Sequence, residues 1–213
     1  MISLVIPCKD EPYLPTLLSE INDVMQEPYE VLVQKEGGLG YAVKCGIERS
    51  KGEIICVLDA DGSHPPKYLP YIINQIMFYD IVIGSRYRGG NTQDSFIRKV
   101  ISRFYCEFAK ELFGLNVNDN MSGFFAVKRE VFEKYPITNK GYKILLECLV
   151  KSRQDFVAKE YPIIFEPRKL GKTKANLKQG IQTLWFIIKL YAALIFTVSI
   201  MILYILNLLF IGI

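Results

Sequence analysis

Leu58-Asp59-Ala60-Asp61-Gly62-Ser63-His64-Pro65-Pro66 is the stretch that decides how the rest of the chain reads. It follows Ile54-Ile55-Cys56-Val57-Leu58, an apolar, β-branched run with the length of a buried strand. Pro65-Pro66 then open a helical pattern, since proline is tolerated in a first turn, where its missing N–H removes no bond. Two carboxylates one residue apart therefore sit at the carboxyl end of a strand in an α/β alternation, which is where open α/β sheets bind ligands. Such close like charges repel each other unless a cation or hydrogen-bond donors neutralise them. A hard divalent ion that also holds a diphosphate is the simplest such cation. Asp59 as a turn cap, with Asp61-Gly62 as ordinary turn chemistry, accounts for the same residues, and this stretch alone does not separate the two readings.

The alternation extends to both sides. Upstream, 2–6 reads as a first strand stopped by Pro7, 14–25 has helical periodicity, and 29–33 reads as a second strand. Gly37-Gly38-Leu39-Gly40 is a glycine-rich turn running into a helix that ends near Gly52. Downstream, the spacing predicts a helix over 66–78 and a strand over 81–84. A β-α-β-α-β-α-β order implies a mostly parallel sheet covered by helices. The glycine run matches neither the G-x-G-x-x-G fingerprint nor a Walker A loop.

The 213 residues suffice for one well-buried domain with an appendage. Half of them are hydrophobic and the mean hydropathy is +0.18, high for a purely soluble protein. The excess lies at 190–213, which carries no charged residue. As a helix rising roughly 1.5 Å per residue, that run is long enough for a hydrocarbon core of about 30 Å. A single C-terminal transmembrane helix is the expectation. Lys189, Lys178, Lys174, Lys172, Lys169 and Arg168 precede it, which by the positive-inside rule keeps the folded domain cytosolic. A net charge of +4 is too modest for a nucleic-acid partner, and these cations fit anionic lipid head groups instead. The cysteines (8, 45, 56, 106 and 148) are odd in number and form no C-x-x-C pair, as befits structural thiols in a reducing compartment.

Ile97, Ile101, Phe104, Phe108 and Leu112 make one apolar stripe on a predicted helix over 96–113, with Arg98, Lys99, Arg103 and Lys110 interleaved. A helix packed on its own core shows that stripe, and so does a helix lying in a membrane interface with its cations among the head groups. A second basic amphipathic segment, 177–189, leads into the uncharged run, which favours the interface. Between them, 165–174 reads as a flexible loop with four cations, either a solvated charge run or a lid that closes on phosphates.

The order of motifs resembles the dolichyl/polyprenyl-phosphate sugar synthases, family-2 inverting glycosyltransferases. It is carried by Pro7 with Glu11, Gly38-Leu39-Gly40, Asp59-Ala60-Asp61-Gly62-Ser63-His64-Pro65-Pro66, Ile83-Gly84-Ser85-Arg86-Tyr87, Arg98-Lys99 with Ile101-Ser102, Ser122-Gly123-Phe124-Phe125, 141–147, and Arg168 with 171–174. The resemblance implies a GT-A, Rossmann-like domain over 1–174, with an interface helix near 95–113, a juxtamembrane helix over 175–189 and a span over 190–213. It implies a hexosyltransferase moving mannose from GDP-mannose, or glucose from UDP-glucose, onto dolichyl or polyprenyl phosphate. Asp59 and Asp61 would hold Mg²⁺ or Mn²⁺ against the donor diphosphate. Donor contacts would fall to Pro7, Lys9, Glu11, Ala60, Ser63, Arg86, Arg168 and Lys174, and Arg86, Arg98 and Ser102 would receive the acceptor phosphate. His64, the single histidine, is assigned a structural role, and Glu147 the positioning of Lys143 or of the lid. A phosphate monoester is largely dianionic at neutral pH, so no general base is required.

The chain departs from that pattern in two places. Relatives carry a D-D-x-S-x-D segment, a helix and a short strand before Gly-Leu-Gly, whereas here Val33-Gln34-Lys35-Glu36 passes straight into Gly37. The sheet is expected to be reduced by one α/β unit beside the base pocket. Lys9-Asp10 replace the usual Tyr-Asn before Glu11. A processive polysaccharide synthase would need Q-x-x-R-W and a pyrophosphorylase G-x-G-x-R, and both are absent. A tail-anchored binding or scaffold protein with weak catalysis is the alternative from another class.

Overall fold

The structure, a computed structural model, describes all residues except 36, 94, 139–142, 171–176, 212 and 213; in the last helix the side chains of 177–179, 197, 198 and 200–211 also fall outside the description. Two compact units divide after Lys174.

In the first unit, β1 (Ile2–Pro7) is buried throughout and stops where Pro7 ends the apolar run. A single left-handed residue, Asp10 (φ 54°), turns the chain toward α1 (Leu14–Val24), which has proline in its first turn and buries Leu17 and Ile21. Next come β2 (Tyr29–Gln34), α2 (Leu39–Arg49) and β3 (Ile54–Val57). Gly46 lets α2 ride directly on β1, because a Cβ there would stand 2.3 Å from a Val5 methyl. A short 3₁₀ turn, Pro66–Tyr68, precedes α3 (Leu69–Gln75), β4 (Ile81–Ser85) and the two-residue β5 (Asn91–Thr92). Then α4 (Phe96–Phe113) runs until Gly114 takes the left-handed conformation that caps it. The unit finishes with β6 (Phe125–Lys128), α5 (Arg129–Lys134), the almost wholly buried α6 (Ile144–Ser152), β7 (Ala158–Pro162) and β8 (Ile164–Phe165).

The main sheet has the order β2-β1-β3-β6-β4-β7, and β5 pairs with β8 in a small second sheet. All main-sheet pairs are parallel except the two that β6 makes, with β3 and β4. This is the expected mostly parallel α/β sheet. With Leu4, Ile6, Ile55 and Ile83 fully buried, each such side chain contributes about 1.5–3 kcal/mol relative to exposure. β2 passes to α2 with no further strand, so β2 is the edge.

The antiparallel insertion of β6 positions the site. Because β6 runs the other way, the residues before it, Ser122 and Gly123, lie at the same end of the sheet as the residues after β3 and β4. Asp59, Arg86 and Gly123 converge there from sequence positions far apart.

Two expectations need correction, and one open alternative narrows. The helix expected over 66–78 is a 3₁₀ turn plus a short α3, because Pro66 and Pro70 each restart the chain in place of a continuous ladder. Of the two readings of the α4 stripe, packing on its own core does not hold: Phe96, Ile97, Ile101 and Phe104 are at least half exposed, and the helix buries Cys106, Ala109 and Phe113 instead. The stretch before 171 is not a free loop, since β8 and two main-chain bonds hold it.

The second unit is one helix, α7 (Leu177–Ile211). Among the described residues no helix is long and apolar enough to cross a membrane. The span expected over 190–213 falls mostly on residues whose side chains lie outside the description.

Candidate active site

The turn after β3 carries the two acids. Asp59 donates its main-chain N–H to His64 Nδ1 (3.2 Å), so that nitrogen is an acceptor and the proton of the neutral ring sits on Nε2. Burial, first of all, lowers the His64 pKa to about 4. Its ring lies 5.4 Å from that of Phe124 and 5.2 Å from that of Phe165. Asp59 Oδ2 is 3.6 Å from His64 Nδ1, but a neutral ring presenting a lone pair makes no ion pair. His64 thus shapes the turn that aims Asp59.

Asp61 is turned differently. Its Oδ1 accepts from the Ser63 N–H (3.0 Å) and hydroxyl (2.6 Å), closing an Asx turn for which Gly62 supplies a φ of 77°. Its Oδ2 faces Arg168 Nη2 at 3.2 Å, and Arg168 Nη1 bonds Glu11 Oε2 at 2.6 Å. The Arg168 segment is seated by main-chain bonds from Glu166 N–H to the Ser63 carbonyl and from Lys169 N–H to the Asp61 carbonyl, both 3.0 Å. Asp59 feels the charges of Lys143, Arg168 and Arg86, which favour its ionised form. Burial, and then the charge of Asp61, push its carboxyl up to about 7. About a third of its side chain stays open (32 %), so solvent moderates that push.

Two neighbouring oxygen acids make a chemically suitable seat for a hard cation. Asp59 packs closely against Gly123: a Cβ there would come within 2.8 Å of Asp59 Oδ2 and 3.1 Å of His64 Cε1. No third His, Cys, Asp or Glu joins them among the described residues.

Arg86, just past β4, is the basic counterpart. Its N–H (2.9 Å) and Nε (2.8 Å) donate to Asp119 Oδ2, and its Nη2 donates to Asp119 Oδ1 (2.6 Å). Burial works against the guanidinium's charge, and the bonds and charge of Asp119 more than offset it, so its pKa is raised. The rings of Tyr87 and Phe165 lie 5.1 and 5.5 Å from Arg86 Cζ. Lys143, at the start of α6, has its pKa lowered by burial and then by the charge of Arg86, against the pull of Asp119 and Asp59. Acid and base thus occupy one mouth.

The profile described as glycosyl transferase family 2 matches residues 5–136. The chain belongs to glycosyl transferase family 2. It is 38 % identical over 149 residues to a dolichol-phosphate mannosyltransferase of Pyrococcus furiosus, covering 68 % of this chain and 42 % of the relative. It is 32 % identical over 187 residues to that of Saccharomyces cerevisiae, covering 82 % of this chain and 69 % of the relative. A polyprenol monophosphomannose synthase of Mycolicibacterium smegmatis is 32 % identical over 151 residues, 66 % of this chain and 57 % of that one. The resemblance to the polyprenyl-phosphate sugar synthases therefore holds, although the chain spans less than half the length of the archaeal relative. Among solved structures, glucosyl-3-phosphoglycerate synthase of Mycobacterium tuberculosis with Mn²⁺, UDP-glucose and phosphoglyceric acid has a TM-score of 0.67 at 14 % identity, covering 90 % of this chain and 80 % of that one. The same enzyme with Mg²⁺ and UDP gives 0.64 at 16 %, covering 88 % and 79 %. At those identities the likeness speaks for the GT-A fold.

Within this family-2 domain, Asp59, Ala60, Asp61, Ser63, Glu11 and Arg168 come together around one turn, and Arg86 stands near them. Pro7 is buried at the end of β1, and Lys9 is exposed beyond it. Ser102 on α4 accepts a bond from Tyr87 Oη at 2.7 Å, which leaves its own O–H to donate. Arg98 lies on the exposed face of α4, and Lys174 falls outside the described residues. Glu147 accepts from the N–H and hydroxyl of Thr138 (both 2.8 Å) and from Lys151 (2.6 Å), so those bonds pin α6 to the segment before it. Two residues of the site, Asp119 and Glu160, have no role assigned by the sequence; Asp119 stands between Asn118 and Asn120 and Glu160 follows Lys159, so no local signal marks them.

Proposed function

We propose that this chain transfers a hexose, mannose from GDP-mannose, to the phosphate of a dolichyl or polyprenyl phosphate. A phosphate oxygen attacks the sugar's anomeric carbon in line, the carbon–oxygen bond to the diphosphate breaks, its electron pair leaves with the nucleoside diphosphate, and the configuration inverts. One observation supports the reading: the mouth holds an acid pair and an anchored guanidinium, and among the described residues the other candidate bases are engaged. His64 is neutral and turned to a main-chain amide, and Glu147 is taken by Thr138 and Lys151. With Asp59 and Asp61 assigned to the cation, a nucleophile that must lose a proton is poorly served there, whereas a phosphate monoester, with a second pKa near about 6, arrives already ionised.

Each group has a task in that step. Asp59 and Asp61 would hold Mg²⁺ or Mn²⁺, a charge that fits two neighbouring carboxylates of which one raises the pKa of the other. When bound, the ion supplies a charge that stabilises the departing diphosphate. Glu11 and Arg168, joined across the turn, frame the donor side with Pro7, Lys9, Ala60 and Ser63, and Lys174 would add to it. Arg86 directs the acceptor phosphate, and Arg98 on α4 would guide its approach. The exposed apolar face of α4 would rest in the lipid interface where the acceptor's head group lies. The 190–213 segment would anchor the chain, with the catalytic unit on the cytosolic side.

The test is a panel of nucleotide sugars with Mn²⁺ or Mg²⁺ and polyprenyl phosphate in liposomes, read by mass of the lipid product. A hexosyl-phosphoryl lipid from GDP-mannose, lost in Asp61→Ala, is expected. No lipid product from any donor, or equal product from wild type and Asp61→Ala, overturns the proposal.

A further inference from the structure

Arg86 is held by one carboxylate, and that carboxylate's residue is held by a second. Asp119, fully buried, takes three bonds from it, and the Asp119 N–H in turn donates to Glu160 Oε1 (2.9 Å). The same Glu160 oxygen accepts from Ser85 Oγ (2.7 Å), the residue just before Arg86, and its Oε2 accepts from Asn118 Nδ2 (2.8 Å). Lys110 of α4 closes the chain with a bond to Asn118 Oδ1 (3.0 Å). Two acids and two bases, Asp119, Glu160, Arg86 and Lys110, thus form one connected, nearly buried network whose formal charges cancel.

Its geometry is more specific than neutralisation requires. Of the five guanidinium N–H groups, Nε–H and one on Nη2 are spent on Asp119, so the anchored edge faces inward. The rest, on Nη1 and the outer side of Nη2, face away from Asp119 as a fixed pair suited to two phosphate oxygens. Two rings, Tyr87 and Phe165, stand 5.1 and 5.5 Å from Arg86 Cζ and crowd the guanidinium. A long side chain that would otherwise sample many rotamers is delivered in one.

We propose that Asp119, backed by Glu160, is a positioning residue: it sets the edge of Arg86 that meets the acceptor phosphate. Glu160, on β7, sets Asp119 in turn. The inference rests on the transfer reaction proposed above.

The experiment uses the full chain in liposomes and compares wild type, Asp119→Asn, Glu160→Gln, Arg86→Lys and the double variant Arg86→Lys/Asp119→Asn. Acceptor and donor kinetics, nucleoside-diphosphate affinity and Tm are measured on each. Loss of aim at a reacting group costs on the order of 10²-fold, so Asp119→Asn is expected to lose about that in kcat/KM for polyprenyl phosphate. Its affinity for the nucleoside diphosphate should stay within about twofold of wild type. Glu160→Gln should lose less in the same direction, and it serves as the test if Asp119→Asn does not fold. The double variant should be no worse than Arg86→Lys alone, because a residue that acts through Arg86 has nothing left to aim. Lower Tm with unchanged acceptor kinetics, or losses that multiply in the double variant, overturns the proposal. An inactive wild type overturns the transfer reaction itself, an outcome distinct from active wild type with indifferent variants.

Discussion

Arg86 and Arg168 sit at the same end of the sheet, each paired with carboxylate, and they are held in opposite ways. Arg86 grips an acid, Asp119, that lies behind it in the core and has its own N–H bonded to Glu160. Arg168 grips Glu11 and Asp61, which line the mouth, and Asp61 is one of the two acids assigned to the cation. The first pair is committed: breaking it would strand a buried charge, which is strongly destabilising. The second is exchangeable, because a metal ion or a diphosphate can replace either partner with a charge of the same sign. A site that must admit and release charged ligands needs both kinds, one for aim and one for turnover.

The largest effect expected is on the acid pair. Asp61→Ala should cut kcat/KM for transfer by about 10²–10³-fold, measured as hexosyl lipid per unit enzyme, while the Tm of the ligand-free protein stays near wild type. A large Tm loss instead would place Asp61 among the committed groups. Next comes Arg86→Lys, which keeps the charge and loses the fork: a loss on the order of 10–10² in kcat/KM for the acceptor is expected, with donor affinity unchanged. Arg168→Gln should move the two ligands in opposite directions. Without donor, Mn²⁺ should bind roughly 3- to 10-fold more tightly, since Asp61 no longer has an internal cation, and nucleoside diphosphate should bind more weakly, both read by calorimetry. If Mn²⁺ binding is unchanged, Arg168 is as fixed as Arg86.

The smallest effect belongs to an ion pair away from the mouth. Lys128 on β6 bonds Asp80 at 2.8 Å, and Asp80 also accepts from the Val157 N–H. Burial raises the Asp80 pKa, but the Lys128 bond, the Val157 bond and the Lys128 charge together leave it below its ordinary value. A carboxyl with a folded-state pKa below its unfolded value of about 3.9 stabilises fully above that value and loses the contribution as pH falls through the folded one. Asp80→Asn should therefore cost about 0.5–1 kcal/mol at pH 7, the difference from wild type closing toward pH 3, with transfer kinetics unaltered. Chemical denaturation across pH reads it.

What the sequence disclosed and what it hid follow the same division. The Asp59–Asp61 turn was legible because a strand run, a glycine and two prolines are local signals. The parallel sheet followed from alternation. Asp119 and Glu160 were not legible, since their partners Arg86 and Ser85 are 33 and 75 positions away and no spacing announces them. The antiparallel β6 was hidden likewise, because strand direction is fixed by how the chain returns past α4 and not by the composition of Phe125–Lys128. The α4 stripe was visible, but the side it faced was not: periodicity reports that a face is apolar, and only packing reports what covers it.

Gly123 carries no charge, yet its missing side chain is what lets the Asp59 carboxylate lie against the main chain there. One added carbon would meet Asp59 Oδ2 at 2.8 Å and push that acid off its seat while Asp61 and the arginines kept their partners. That makes position 123 a natural handle for a silenced allele: a copy still built and still displayed to its neighbours but deaf to ligand, with which the consequences of the protein's presence in a cell can be told apart from those of its chemistry.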